Sequence, residues 1–160
     1  MITYRIALSH DAQALLQTRR HAVLSNRVKV YSRPVLEAWA PKVDAASIER
    51  ESQALIDPDR ITLVAEIGGK MIGLCTIGIC EGLLKQCYVL PKYRGLGVAR
   101  ELVARIESIA QQKGLASLQL SSSLIALDFY KKQGYHTRNR YEYPLEDGLF
   151  ISCVMMEKVF

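Results

Sequence analysis

The turn at residues 93–100, YRGLGVAR, constrains the fold of this chain more than any other stretch. The apolar run at residues 83–90 before it is typical of a β-strand. Apolar residues then recur every three or four positions, as in an amphipathic helix that begins at or just before Gly97. The first amides of such a helix have no partner within it, and the helix dipole makes that end positive. Because two glycines leave the backbone open and two arginines add charge, the turn predicts a cradle for a phosphate or pyrophosphate.

Two familiar phosphate-binding motifs are excluded by the residues of this turn. A dinucleotide-binding turn requires GxGxxG, but Arg100 stands in the place of the third glycine. A nucleoside-triphosphate loop requires GxxxxGK followed by Ser or Thr, which the sequence lacks. A strand-to-helix turn that binds no ligand is the remaining structural alternative.

The rest of the chain indicates one α/β domain spanning residues 1–160. A chain of 160 residues with 49% hydrophobic content suits one domain with a proper core and is short for two. Strands are predicted at residues 3–8, 61–67, 70–80, 83–90, 115–121, 135–143 and 149–160. Helices are predicted at residues 10–24 with Ser9 as N-cap, at 32–40, 44–56 and 124–134, and from Gly97 onward. Paired strands with interleaved helices favour a mixed α/β sheet.

Charge and hydropathy limit the partners. The formal charge of +5 favours an anionic ligand only weakly, and the basic residues are not interleaved with aromatics as in nucleic-acid readers. No apolar run approaches the ~20 residues of a membrane span. We therefore expect a soluble cytoplasmic protein with no nucleic-acid and no membrane partner.

The cysteines and histidines give no metal signature. The cysteines lie inside apolar strand-like runs without a CxxC pair, which favours buried thiols in a reducing compartment over a disulfide or zinc site. They are Cys75, Cys80, Cys87 and Cys153. The three histidines share no metal-ligand spacing with cysteines or carboxylates, so no metal is expected. They are His10, His21 and His136.

The sequence around the glycine turn resembles a known family signature. YVLPKYRGLGVARELV is similar to the [RQ]-x-x-G-x-[GA] motif of the GCN5-related N-acetyltransferase (GNAT) superfamily, with Arg94, Gly97 and Ala99 in its defining places. SSSLIALDFYKKQGY is similar to a second family segment, with Ser123 where the family usually has Asn; the matching positions are Ala126, Tyr130, Gly134 and Tyr135. SCVMMEKVF resembles the family's closing strand. VYSRPVLEAWAP resembles a stretch of a bacterial subgroup of uncharacterised acetyltransferases.

The resemblance implies a single-domain GNAT-like fold with a mixed, mostly antiparallel central sheet flanked by helices. It implies acetyl-CoA as cosubstrate and transfer of an acetyl group to a primary amine, small-molecule or peptide, by direct attack. A homodimer is left open. The expected coenzyme-binding residues are Cys87, Tyr88 and Val89 beside the pantetheine arm, Arg94, Gly95, Leu96, Gly97, Val98, Ala99 and Arg100 at the pyrophosphate, and Ser123. Tyr130 is the expected catalytic residue, as proton donor to the departing thiolate; packing of an aromatic helix is the alternative.

The sequence departs from the family at the general base. Related sequences commonly carry an acid, often with a His, where this chain has Lys85 and Gln86. Strand alternation predicts that Lys85 shares a face with Cys87 and Val89. A cation on that face predicts an acceptor with an acidic group near its amine, or an amine of unusually low pKa. The departure also keeps open another function, a non-catalytic acetyl-CoA-binding regulatory module.

Three further features have two interpretations each. Glu66 and Glu81 are either carboxylates that act through water or solvated surface groups. Trp39, the single tryptophan, is either core or a wall of the acceptor cleft. A basic cluster either contacts the 3′-phosphate of the coenzyme or forms a solvated face; it comprises Lys131, Lys132, Arg138 and Arg140.

Overall fold

A computed structural model describes residues 1–26 and 29–160 of the chain. These residues form one seven-stranded sheet in the order β1-β2-β3-β4-β5-β7-β6. The strands are β1 Ile2–Ile6, β2 Arg60–Ile67, β3 Lys70–Gly78, β4 Leu83–Val89, β5 Ser117–Ser123, β6 His136–Pro144 and β7 Phe150–Val159. β4 and β5 pair in parallel, and the other neighbouring strands are antiparallel. The predicted mixed, mostly antiparallel sheet is confirmed.

Helices cover both faces of the sheet. They are α1 Ala12–Leu24, α2 Arg33–Trp39, α3 Ala45–Leu55, α4 Val98–Gln112 and α5 Leu127–Lys132, and short 3-10 turns precede α1, α4 and β7. Ile106 of α4 is fully buried with Cys75 and Ile77 of β3. Leu15 of α1 is fully buried on the opposite face, in a cluster that includes Leu74. The apolar stripe of α4 therefore anchors the helix that follows the glycine turn directly on the central strands.

The start of α1 differs from the sequence prediction. Ser9 lies inside a 3-10 turn, and α1 begins three residues later, at Ala12. Asp11 stands at the N-cap of α1 but makes no side-chain hydrogen bond to the helix. Its carboxylate instead accepts a hydrogen bond from the Leu8 amide at 2.7 Å and pairs with Arg5 of β1 at 2.7 Å. This pair fixes the entry of α1 against the edge of the sheet.

The cysteines are all free thiols, but one of them is exposed. Cys75 and Cys153 are buried and Cys87 is half-buried, whereas Cys80 is exposed. The prediction was wrong for Cys80 because β3 ends at Gly78 and the apolar run bends there into the turn before β4. Within residues 1–26 and 29–160, every helix is too short or too polar to cross a bilayer.

Candidate functional site

The central sheet opens between β4 and β5. These strands pair at Leu83–Gln119 and Leu84–Leu120 and then separate, as β4 follows β3 to Val89 and β5 follows β7 to Ser123. A cavity of about 490 Å³, called here the β4–β5 cleft, fills the gap. It is lined by eleven of the twelve predicted site residues: Cys87, Tyr88, Val89, Arg94, Gly95, Gly97, Val98, Ala99, Arg100, Ser123 and Tyr130. Leu96, the twelfth, points outward with 62% exposure.

The first turn of α4 closes one end of this cleft. Gly97 is the N-cap of α4, with a φ of 79° and no side-chain cap. Gly95 has a φ of 80°. Both lie in the left-handed region, which disfavours residues with a Cβ. The first amide to bond back within the helix is that of Glu101, which donates to the Gly97 carbonyl at 3.0 Å. The preceding helical amides therefore stay available for an anion at the mouth of the cleft.

Arg94 ties the glycine loop to the rest of the molecule. Its guanidinium donates a hydrogen bond to the Ala22 carbonyl in the last turns of α1, at 3.1 Å. Partial burial lowers the pKa of Arg94 from its ordinary value, and an arginine guanidinium stays charged at neutral pH. Arg100 is exposed at the same end of the cleft. The loop thus presents fixed positive charge beside open backbone amides.

The backbone of β4 also offers donors to the cleft. The Leu90 amide donates to the Ile72 carbonyl of β3 at 2.8 Å. Because successive amides of a strand point to opposite edges, the Val89 and Cys87 amides point away from β3, toward the gap left by β5. An extended ligand in the cleft can therefore pair with β4 as an added strand does.

Tyr130 lies in the cleft wall on α5. It is only 6% exposed and makes edge-on ring contacts with Phe129 at 5.0 Å and Tyr135 at 5.8 Å between centroids. The ring packs in the core cluster and the residue also lines the cleft, so packing does not exclude the role of proton donor, which stays a prediction. Phe129 lines the cleft as well. Burial raises the pKa of Tyr130 well above its ordinary value of 10, so the phenol carries its proton at neutral pH.

β4 contains a bulge at Lys85 that reverses the predicted side-chain orientation. The pairing of β3 with β4 shifts by one residue there, so Lys85 is the extra residue. Gly78 faces the side of the sheet opposite Cys87 and Val89. A Cβ on Gly78 would lie 2.6 Å from Lys85 Cε, so Lys85 lies on that opposite side too. Its Nζ pairs with Glu81 at 2.6 Å. The predicted alternation was wrong, and the argument from Lys85 to an acidic acceptor no longer holds.

None of the sequence candidates for a general base lines the cleft. Gln86 donates to Thr76 Oγ1 at 3.2 Å, and its buried Oε1 has no hydrogen-bond partner among the described residues. Glu66 is not a solvated surface group, because its side chain is 15% exposed and pairs with Arg5 at 2.6 Å. Among the cleft-lining residues that the structure describes, there is no Asp, Glu or His.

The structure also shows where Trp39 and the basic cluster lie, for each of which the sequence left two interpretations. Trp39 lines the cleft, with ring centroids 6.0 Å from Tyr31 and 6.3 Å from Tyr88, so it is a cleft wall. Every member of the basic cluster Lys131, Lys132, Arg138 and Arg140 is exposed and lies outside the cleft lining. Arg138 pairs with Glu157.

A second cavity, of about 630 Å³, was missed by sequence reasoning. It lies where α2, α3, the start of β2 and the turn between β6 and β7 meet, and Trp39 is part of its lining as well as that of the β4–β5 cleft. Arg50 and Glu51 of α3 and Arg60 of β2 contribute charges to it. We call it the Arg50 cavity. The charged face of α3 was a visible signal, but nothing in the sequence showed that it meets the β6–β7 turn.

A sheet that opens beside a glycine-rich helix start defines the GNAT fold class, and comparison with known proteins gives the family. Residues 24–135 match the family model described as Acetyltransferase (GNAT) family. The chain therefore belongs to the GNAT acetyltransferase family. It is 34% identical over 93 residues to the IAA acetyltransferase of Azospirillum brasilense, which is 54% of this chain and 61% of that protein's length.

Two solved structures share the whole fold. A GCN5-related N-acetyltransferase from Rhodopseudomonas palustris superposes with a TM-score of 0.87 at 24% identity, over 99% of this chain and 95% of that one. PaiA N-acetyltransferase from Thermoplasma acidophilum, in complex with coenzyme A, superposes with a TM-score of 0.80 at 22% identity, over 100% and 99%. At these identities the likeness shows the fold.

Proposed function

We propose that residues 1–160 act as one acetyl-CoA-dependent N-acetyltransferase domain that transfers an acetyl group to a primary amine by direct attack. The observation that carries the proposal is the β4–β5 cleft, which runs from the open amides of α4 past the free edge of β4 to the buried phenol of Tyr130. Family membership and the coenzyme A complex of the Thermoplasma protein support the same reading.

The residues of the cleft fit coenzyme A in charge and shape. The α4 amides at residues 98–100, with Arg94 and Arg100, would hold the pyrophosphate. Gly95 and Gly97 have nothing within 4 Å of the position of a Cβ, so the loop is open for a close backbone approach. The free edge of β4 at residues 87–89 would hold the pantetheine arm, and Ser123 lies opposite on β5.

Residues of this chain would assist each step of the acetyl transfer. Acetyl-CoA, when bound, supplies an acyl group activated as a thioester. The Val89 amide supplies a hydrogen-bond donor for the acyl oxygen. Tyr130 Oη holds a proton for the departing thiolate. Because no carboxylate or histidine is among the described lining residues, the amine would have to arrive neutral, and positioning by the cleft would supply much of the rate.

Thiol release from acetyl-CoA, measured with and without candidate amines, tests this proposal. We expect release that depends on the amine, over a panel of small amines, amino acids and peptides. Tight coenzyme binding with no turnover on any amine would overturn it in favour of a non-catalytic acetyl-CoA-binding regulatory module. We also propose a cytoplasmic location, which the free, exposed thiol of Cys80 supports because such thiols persist in reducing compartments.

A further inference from the structure

The Arg50 cavity lies next to the β4–β5 cleft and shares Trp39 with it. Apolar residues such as Leu16 and Pro41 form part of its wall. Its charged groups come from four separate parts of the chain: the loop between α2 and α3, α3 itself, the start of β2 and the β6–β7 turn. The two cavities therefore meet at Trp39 of α2.

The charges of the cavity do not cancel. Arg60 pairs with the buried Glu51 at 2.6 Å, and Lys42 pairs with Glu146 at 3.7 Å. Arg50 donates to the Ser47 hydroxyl at 3.0 Å and forms no ion pair with any carboxylate of the described residues. One positive charge is left over, on a solvent-accessible guanidinium at the cavity.

The donors of Arg50 suit an oxyanion. Its guanidinium is exposed at the cavity, and its one side-chain hydrogen bond within the described residues goes to Ser47. The guanidinium fork matches carboxylate and phosphate geometry. Arg60 Nε also has no hydrogen-bond partner in the part of the chain that the structure describes, but this atom is buried, so a ligand in the cavity does not reach it.

We propose that the Arg50 cavity binds an anionic group, carboxylate or phosphate, on the acceptor amine, with Arg50 as the principal specificity residue. The inference rests on the proposed N-acetyltransferase function. The anionic end would lie against Arg50, an apolar middle section against Trp39, and the amine in the β4–β5 cleft. The acceptor is then a small molecule whose anionic group lies at the end of the molecule away from the amine.

Matched acceptors and one matched pair of variants test the proposal. The acceptors are ω-amino carboxylates of increasing chain length, the corresponding ω-amino carboxamides, and ω-aminoalkyl phosphates with their parent alcohols. Binding to the coenzyme A-saturated protein is measured by calorimetry, and KM is measured by thiol release. The variants are Arg50→Gln and Lys113→Gln, the second removing one exposed charge at the far end of α4, outside both cavities.

We expect one anionic series to bind more tightly than its neutral counterparts. Arg50→Gln should weaken that preference about 10- to 100-fold, the scale of one charged hydrogen bond, and Lys113→Gln should not change it. The anionic series with the larger preference identifies the group as carboxylate or phosphate. Equal binding of anionic and neutral amines, or an unchanged preference in Arg50→Gln, overturns the proposal. The two proposals fail in different measurements. If the acetyltransferase function is wrong, no amine causes thiol release, whereas calorimetry still shows whether the cavity prefers anionic amines.

Discussion

A carboxylate placed at the start of α4 should remove coenzyme binding without unfolding the protein. Gly97→Glu puts a side chain and a negative charge where the pyrophosphate is proposed to lie. The position of a Cβ on Gly97 has nothing within 4 Å, so the new side chain meets no obstruction in the protein itself. The variant changes the backbone energy and the charge at the mouth of the cleft, and these two effects can be separated.

The two effects differ in size. A residue with a Cβ at a φ of 79° costs about 1–2 kcal/mol of folding free energy, which is a Tm loss of about 2–8 °C for a chain of this size. A carboxylate about 5 Å from one pyrophosphate charge is repelled by about 3 kcal/mol at an effective dielectric constant of 20. We therefore expect coenzyme A affinity to fall by more than about 100-fold.

Gly114→Glu is the matched control. Gly114 follows α4 at its other end, with a φ of 85° and nothing within 4 Å of its Cβ position. The variant carries the same added charge and similar backbone strain, so its Tm should fall comparably while its coenzyme A affinity stays at the wild-type value. Calorimetric titration measures both affinities. A folded Gly97→Glu protein with an unchanged dissociation constant would show that the glycine loop does not bind the pyrophosphate.

Three further predictions concern Tyr130, the pH dependence of the reaction and Asp11. Tyr130→Phe should lower kcat about 100-fold and leave the acetyl-CoA dissociation constant unchanged, as steady-state kinetics and calorimetry can check; wild-type turnover would make Tyr130 a packing residue. The kcat/KM for the acceptor should rise with pH up to the pKa of the acceptor's own amine, because no described cleft residue serves as a base. It should show no fall below pH 10, because the raised pKa of Tyr130 keeps its proton in place. Asp11→Asn should lower the free energy of unfolding at pH 7 by about 1–3 kcal/mol, measured by urea denaturation. Because Arg5 lowers the pKa of Asp11, this difference should be present above the unfolded carboxyl pKa near 4 and vanish as pH falls through the lower folded value.

The elements of the fold were predictable because their signals are local. The alternation of β2 and β3 around Gly68 and Gly69 marks a hairpin, and the stripe from Val98 to Ala110 marks α4. The same locality explains why eleven of the twelve candidate residues came together at one cleft. Nine of the eleven fall in one strand–turn–helix segment at residues 87–100, which can hardly fold without bringing them together.

The sequence predictions failed where the structure depends on a strand bulge or on contacts between distant segments, which local sequence patterns do not encode. The bulge at Lys85 inserts one residue, and a shift of one reverses the face of every side chain beyond it. The pairing of Glu51 with Arg60 joins α3 to β2, and the β6–β7 turn reaches the same cavity from more than eighty residues away in sequence. The hydrophobic periodicity of α3, of β2 or of the β6–β7 turn does not indicate that these segments contact one another.

Because Trp39 lines both cavities, its intrinsic fluorescence can report ligand binding at each of them. Because the chain contains one tryptophan, all indole fluorescence comes from Trp39, a residue that lines both cavities. Occupation of either the β4–β5 cleft or the Arg50 cavity would change the surroundings of Trp39, so unlabelled protein gives an emission signal for each ligand. Titrating one ligand in the presence of the other then measures directly whether the two sites bind cooperatively.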